Sequence, residues 1–265
     1  MLSLLGRDLW IYRGFILSSV KRDFQSRYRN SLLGALWPLL QPLAMILIYT
    51  LIFSQVMRAR LAGVDDSLAY GIFICVGILT WGLFAEVLNR SLTMFLDNAN
   101  LLKKLSFPRL CLPVIVFFSA LLNFAITLGL FLVVLALIGR LPGEALVALP
   151  LLLGLQLLLA LGLGLLLGVL NVFFRDVGQL FSIGLQLWFW LTPIVYPLNI
   201  LPEALQPWLA LNPMSGLMQA YQGIFLHDAW PNWPELLPVC LVGVSCWIFA
   251  LLLYRAKSAD MLDEL

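Results

Sequence analysis

Few side chains of this sequence could carry acid–base or metal chemistry. The one histidine, His227, is followed by Asp228, and no second ligand or nucleophile stands at a useful spacing from the pair. We interpret His227 as an ordinary side chain of an interfacial segment. Glu86 lies inside an apolar run four residues before Arg90, and an i, i+4 ion pair explains it better than ion-coupled transport does. The sequence predicts no catalytic, cofactor-binding or metal site.

Phosphate-binding motifs are also missing from the sequence. No G-x-x-x-x-G-K-[ST] loop occurs, and the four cysteines show no C-x-x-C spacing. We therefore expect this chain to be no enzyme, and any energy for work must come from a partner.

Neutral polar and aromatic side chains recur on one face of each of two apolar segments. Amides, hydroxyls and aromatic rings can recognise sugars without fixed charge, so these faces predict a path for a polysaccharide. The alternative is hydrogen bonding and packing between neighbouring helices, for which such residues are ordinary. The predicted path residues are Gln41, Met45 and Tyr49 on the first segment and Gln179, Ser182, Gln186, Phe189 and Trp190 on the second.

The composition places these faces in a membrane protein. Hydrophobic residues make up 62% of the 265 positions and charged residues only 11%, which leaves too little polar surface for a water-soluble globule. The net charge of +2 is small and indicates no nucleic-acid partner.

Hydropathy predicts an all-α membrane protein with six transmembrane helices in a single transmembrane domain, 1–265. Each apolar run is long enough for a hydrocarbon core of about 30 Å. Small residues in the fourth span, such as Gly164 and Gly168, allow close helix approach. The predicted spans are 33–57, 68–89, 110–138, 145–173, 177–196 and 235–254.

Three further segments are predicted to be helical without crossing the membrane. Apolar residues at positions 2, 5, 9, 12, 16 and 20 predict an amphipathic helix within 1–30 that lies in the inner interface, or packs on another protein. Residues 97–106 predict a short amphipathic helix, with Asp97 as its cap. Prolines divide 197–234 into pieces too short to cross the membrane, which predicts a re-entrant or interfacial pair of helices.

The distribution of lysine and arginine orients the chain. Basic residues concentrate in the segments that this topology places inside, whereas Arg58, Arg60 and Arg140 are the ones in outside loops. Because short basic loops are retained on the cytoplasmic side, both termini are predicted to be cytoplasmic.

Four motifs in register with the six spans make the pattern specific. They are KRDFQSRYRNSLLGALWPLLQPL, NANLLKKLSFPRLCLPV, NVFFRDVGQL, and FWLTPIVYPL followed by LNPM. Together they closely resemble the permease subunit of type-two ABC exporters that move O-antigen, capsule and teichoic-acid polymers. The resemblance covers nearly the whole chain in the same order.

The resemblance implies a homodimer with two copies of a separate ABC ATPase, which binds ATP and Mg. It implies a lipid-linked polysaccharide as substrate, with membrane lipids around the dimer, in the bacterial cytoplasmic (inner) membrane. Leu33 and Gly34 correspond to a cytoplasmic gate, and the amino-terminal helix also touches the ATPase. The implied ATPase-coupling residues are Asp97, Asn98, Leu101, Leu102, Lys103, Lys104, Arg175 and Asp176.

Two alternatives remain at this point. A small-molecule or drug efflux permease of the same superfamily would have the same topology. A membrane-embedded lipid or sugar transferase would need a carboxylate or histidine cluster, which the short loops do not supply.

Overall fold

The computed structural model describes residues 10–28, 37–51, 68–104, 108–198, 202, 206–258 and 260–264. All regular secondary structure in these residues is helical, as predicted. Two 3-10 helices, Glu144–Ala148 and Trp233–Leu236, precede α6 and α10. The α-helices are α1 (Arg13–Tyr28), α2 (Trp37–Leu51), α3 (Ala69–Asp97), α4 (Ala99–Lys104), α5 (Cys111–Leu137), α6 (Leu149–Phe173), α7 (Asp176–Trp190), α8 (Gln206–Ala210), α9 (Pro213–His227), α10 (Leu237–Lys257) and α11 (Met261–Glu264).

Four helical segments within the described residues are long and apolar enough to cross a membrane. They comprise α3, α5, and α6 and α10 with their preceding 3-10 turns. The described part of α2 and the whole of α7 have 15 residues each, about 22 Å of helix, which is less than a hydrocarbon core. The multi-pass character is therefore confirmed, and the count of six spans stays a prediction.

The core of the bundle is built around α3. It packs against α2, α5, α6, α7 and α9, and most of its side chains are buried. Helix α10 lies along α6 on the other side, and α1 packs against α5.

Glycines allow α6 to approach two helices closely. A Cβ atom on Gly164 would lie 2.6 Å from Ser91 Cβ in α3, and one on Gly168 would collide with the Ser91 carbonyl oxygen. On the other side, a Cβ on Gly162 would lie 2.8 Å from Trp247 Cδ1 in α10. The close packing predicted from the small residues of the fourth span is present.

Two helix ends differ from the sequence prediction. Helix α3 continues past Arg90 to Asp97, because Arg90 is paired inside the protein and does not mark the edge of an apolar segment. Asp97 therefore ends α3 and does not cap the next helix. Helix α7 ends at Trp190, short of the predicted Tyr196, since Pro193 has no N–H for a helical bond and restricts the residue before it.

The basic end of the bundle carries Lys103, Arg109 and Lys257. The Arg109 guanidinium donates to the Ser258 carbonyl, and the Lys257 ammonium lies 5.8 Å from the centre of the Phe173 ring. These contacts bring the start of α5 and the ends of α6 and α10 together. The start of α10 lies at the end of the bundle that is farthest from these basic residues, and we call it the opposite end.

Helix α9 is the main element of the proline-rich segment, and it packs into the bundle. Met214, Leu217 and Tyr221 are fully buried against the core that contains α3. Asp228 ends α9 in the left-handed region (φ 49°), and its Oδ1 accepts hydrogen bonds from the backbone N–H groups of Gly143 (2.9 Å) and Ala145 (3.1 Å). Asp228 therefore ties the loop between α5 and α6 to the end of α9.

Candidate functional site

The predicted polar face of α7 is exposed. Gln179, Ser182, Gln186 and Trp190 are all exposed along one side of the helix, and the Trp190 side chain is 59% exposed. The structure describes every residue of α7, and within this helix Leu185 is the only buried side chain. This face presents two amide groups, a hydroxyl group and an aromatic ring, and none of these four side chains is charged.

Phe189 differs from the rest of the set. It is partly buried, and its ring centroid lies 5.7 Å from that of Trp81 in an edge-to-face contact. Phe189 thus anchors α7 to α3 through aromatic packing.

The face predicted on the first span is described in part. Gln41, Met45 and Tyr49 lie on α2 at helical spacing, and the Met45 side chain is 41% exposed. The side chains of Gln41 and Tyr49 lie outside the described part of the chain, as do the predicted gate residues Leu33 and Gly34.

Asn212 joins the end of α7 to the start of α9. Its Oδ1 accepts from Trp188 Nε1 (2.8 Å) and from the Met214 backbone N–H (3.0 Å), which caps α9. Its Nδ2 donates to Thr192 Oγ1 (2.9 Å) and to the Leu191 carbonyl (3.1 Å). The whole hydrogen-bonding capacity of this amide is used to fix α7 relative to α9.

The short helix α4 lies within 97–106, the segment in which a coupling helix was predicted. Asn98 separates it from α3: its Nδ2 donates back to the Met94 carbonyl (2.8 Å), and its own carbonyl accepts from the N–H of Leu102 (2.9 Å). Leu101 is half-buried and Lys103 is exposed, whereas Leu102 is buried within this chain. The side chain of Lys104 is outside the described set.

A polar cluster connects α1, α3 and α5 beside the coupling helix. Arg90 Nη2 lies 2.6 Å from Asp23 Oδ2, and Arg90 Nη1 lies 3.5 Å from Glu86 Oε1. Glu86 Oε2 accepts from Asn123 Nδ2 at 2.9 Å. The predicted Glu86–Arg90 pair is confirmed, and Asp23 extends it to the amino-terminal helix.

The second predicted coupling element is the turn between α6 and α7. Arg175 and Asp176 are exposed at this turn. Asn171 holds it in place, because its Nδ2 donates to the Leu92 carbonyl of α3 (2.9 Å) and its Oδ1 accepts from the Gly178 N–H (3.0 Å).

Within the described residues, no group of three or more His, Cys, Asp or Glu side chains is placed to hold a metal ion. His227 ends α9 beside Asp228, whose carboxylate is engaged by backbone groups.

Comparison with known proteins assigns this arrangement to a family. The model of the ABC-2 type transporter membrane family matches residues 15–226, which is most of the chain. The chain belongs to the ABC-2 type transporter family. The family resemblance inferred from the four motifs is thereby confirmed.

Relatives within the ABC-2 family are named as polysaccharide exporters. The chain is 36% identical to an O-antigen export system permease protein RfbA of Myxococcus xanthus, over 98% of this chain and 99% of that protein. It is 31% identical to an RfbA permease of Klebsiella pneumoniae over 78% of each chain. It is 24% identical to the polysialic acid transport protein KpsM of Escherichia coli, over 92% of this chain and 93% of that protein.

Several positioning residues of this ABC-2 chain escaped sequence reasoning. Asp23, Asn171 and Asn212 stood inside quoted motifs, so the motifs located them without revealing their contacts. Asn123 gave no sequence signal, because its partner is distant in the chain.

Proposed function

We propose that this chain is the channel-forming subunit of an ATP-driven exporter that moves a lipid-linked, O-antigen-like polysaccharide across the bacterial cytoplasmic membrane. The observation that carries the proposal is the 36% identity, over nearly its whole length, to a protein named as an O-antigen export permease. That relationship favours polysaccharide export over drug efflux and over a transferase.

Two copies of the chain would form the channel. The exposed face of α7 and the corresponding face of α2 supply uncharged groups for its lining. Such a lining suits a moving polymer, because weak repeated contacts allow sliding whereas strong fixed binding would stall it.

Two copies of a separate ATPase would drive transport by binding ATP and Mg. In this proposal, closure of the ATPases pushes on α4 and on the turn at Arg175 and Asp176. Helix α4 follows α3, and Asn171 ties the turn to α3 as well. Both contacts therefore act on the central helix of the bundle, whose movement would rotate α2 and α7 and open the passage. Both termini and α4 would face the cytoplasm, and α9 would form the outer gate.

Co-purification tests the partnership with the ATPase. The chain is expressed with its neighbouring genes and extracted in mild detergent, and a stoichiometric ATPase is expected to remain bound. Leu101→Asp and Lys103→Glu should each weaken its retention about tenfold, because Leu101 is only half-buried in α4 and Lys103 is exposed, so that both are accessible to a partner. Leu102 is unsuitable for this test, since a charge at a buried position would unfold the permease itself.

Arg140→Glu is the matched control, because Arg140 is exposed in the loop between α5 and α6, at the opposite end of the bundle. It should leave the ATPase bound. Absence of any bound ATPase with the unchanged chain would overturn the proposal, as would equal retention by the α4 variants and the control.

A further inference from the structure

A cavity of about 460 Å³ lies at the opposite end of the bundle, between α8, the start of α9 and the start of α10. Its size falls within the range of about 300–1,000 Å³ that small-molecule sites occupy. The cavity is separated by the length of α10 from Lys257 and the basic end. We call it the outer cleft.

One buried polar group of the outer cleft has no partner. Ser215 lines the cleft and is 1% exposed, and its hydroxyl makes no hydrogen bond within the described part of the chain. A buried hydroxyl normally has a partner, because leaving it unpaired costs the free energy of its lost hydration. Because this oxygen is itself buried, a ligand hydroxyl supplies that partner only after the Ser215 side chain rotates toward the cleft.

Two exposed acceptors stand beside this serine. Gln219 Nε2 donates to the Ser215 carbonyl at 3.3 Å, which leaves the amide oxygen available. Glu235 accepts from Asn232 Nδ2 through Oε1 at 2.5 Å, which leaves its other carboxylate oxygen available. A carboxylate and an amide oxygen together can accept hydrogen bonds from two neighbouring hydroxyls of one sugar ring.

Apolar side chains, among them Leu209, Pro213 and Pro238, form part of the remaining walls of the outer cleft, beside the amides of Gln206 and Asn212. Such walls suit the C–H face of a sugar ring. None of the described residues that line the cleft is Lys or Arg, so nothing there favours a phosphate or a lipid headgroup. The Glu235 carboxylate also disfavours an acidic sugar by repulsion.

We propose that the outer cleft binds one neutral sugar residue of the exported glycan through adjacent hydroxyl groups. The proposal rests on the proposed function of polysaccharide export. Binding here captures the leading end of the polymer as it leaves the channel and opposes its return.

The test uses oligosaccharides of two to six residues released by partial acid hydrolysis from the surface polysaccharide of the source bacterium. They are titrated into the purified permease–ATPase complex in lipid nanodiscs, and binding is followed by saturation-transfer NMR. Gln219→Leu and Glu235→Gln should each weaken binding about tenfold, the effect of losing one good hydrogen bond. Because both side chains are exposed, these variants should fold normally. Ser215→Ala should weaken binding in the same direction.

Gln25→Leu is the matched control, since Gln25 is an exposed glutamine on α1, remote from the cleft. It should bind like the unchanged protein. Equal binding by the cleft variants and the control would overturn the inference, as would the absence of any binding by neutral fragments. Export by the unchanged chain in a strain lacking its own permease is measured in parallel. Failure of export would contradict the proposed function, whereas export without fragment binding would contradict the outer cleft alone.

Discussion

At the scale of single residues, polar side chains hold the structure together through hydrogen bonds between helices. Asn212 and Asn171 each connect elements that meet at a turn, and Arg90 connects α1 to α3. In an apolar environment such groups are costly when unpaired. Although these side chains are few, removing one of them should therefore change how the helices pack against each other.

The Asp23–Arg90 pair should show measurable coupling. Its side chains are only 30% and 20% exposed, and the two atoms lie 2.6 Å apart. In a double-mutant cycle with Asp23→Asn and Arg90→Gln, we expect a coupling free energy of about 1–2 kcal/mol, between the values for exposed and buried pairs. The free energy is measured by reversible unfolding in mixed detergent micelles.

Lys257 and Asp260 provide the control cycle. Their atoms lie at a similar distance, 3.0 Å, but both side chains are about half exposed. Water screens such a pair, so Lys257→Gln and Asp260→Asn should show no measurable coupling. Equal coupling in both cycles would contradict the role assigned to Arg90.

At the scale of elements, glycine determines how closely α6 approaches its neighbours. Gly164 and Gly168 face α3, and Gly162 faces α10, where Trp247 Nε1 also donates to the Leu158 carbonyl at 2.9 Å. Helices in lipid gain stability from such close van der Waals packing, because burial from water contributes little between them.

Gly168→Ala should destabilise the protein by about 1–3 kcal/mol, since the added methyl group meets the Ser91 carbonyl and forces α3 and α6 apart. Gly154→Ala in the same helix is the control: nothing lies within 4 Å of its Cβ position, and the higher helix propensity of alanine should leave stability unchanged or slightly raised. Thermal unfolding in detergent separates the two. A similar loss for both variants would show that packing against Ser91 is not the cause.

At the scale of the whole molecule, α7 is one of the helices that the described chain leaves largely uncovered. Helix α7 buries a single side chain, whereas α3 buries most of its residues. An uncovered face with two glutamines, a serine and a tryptophan is the lining that the proposed dimeric channel requires.

Alanine at both Gln186 and Trp190 should lower the export rate by about threefold to tenfold, because a hydrogen-bonding amide and a ring are lost from the path. Assembly with the ATPase should be unchanged, since both side chains are exposed on α7. Export is measured as surface polysaccharide per unit of permease in a complemented deletion strain. Leu180→Ala, a change at an exposed side chain on another side of α7, should export normally. Normal export by the double variant would remove both residues from the path.

The sequence by itself determined the class of the protein, the location of its main helices and the family. Hydropathy and helical periodicity are local properties, so they predicted the helices now seen as α3, α5, α6 and α10 with small errors at their ends. The polar spacing in α7 was likewise readable, because residues on one helix share a face by geometry alone.

The tertiary structure alone decided which polar groups meet. Asp23 and Arg90 are 67 residues apart in the chain, and Asn171 and Leu92 are 79 apart, so no local pattern could pair them. The burial of Leu102 has the same origin, since packing against other helices determines it. Periodicity reveals which face of a helix is apolar, whereas the neighbour that covers this face depends on the whole fold.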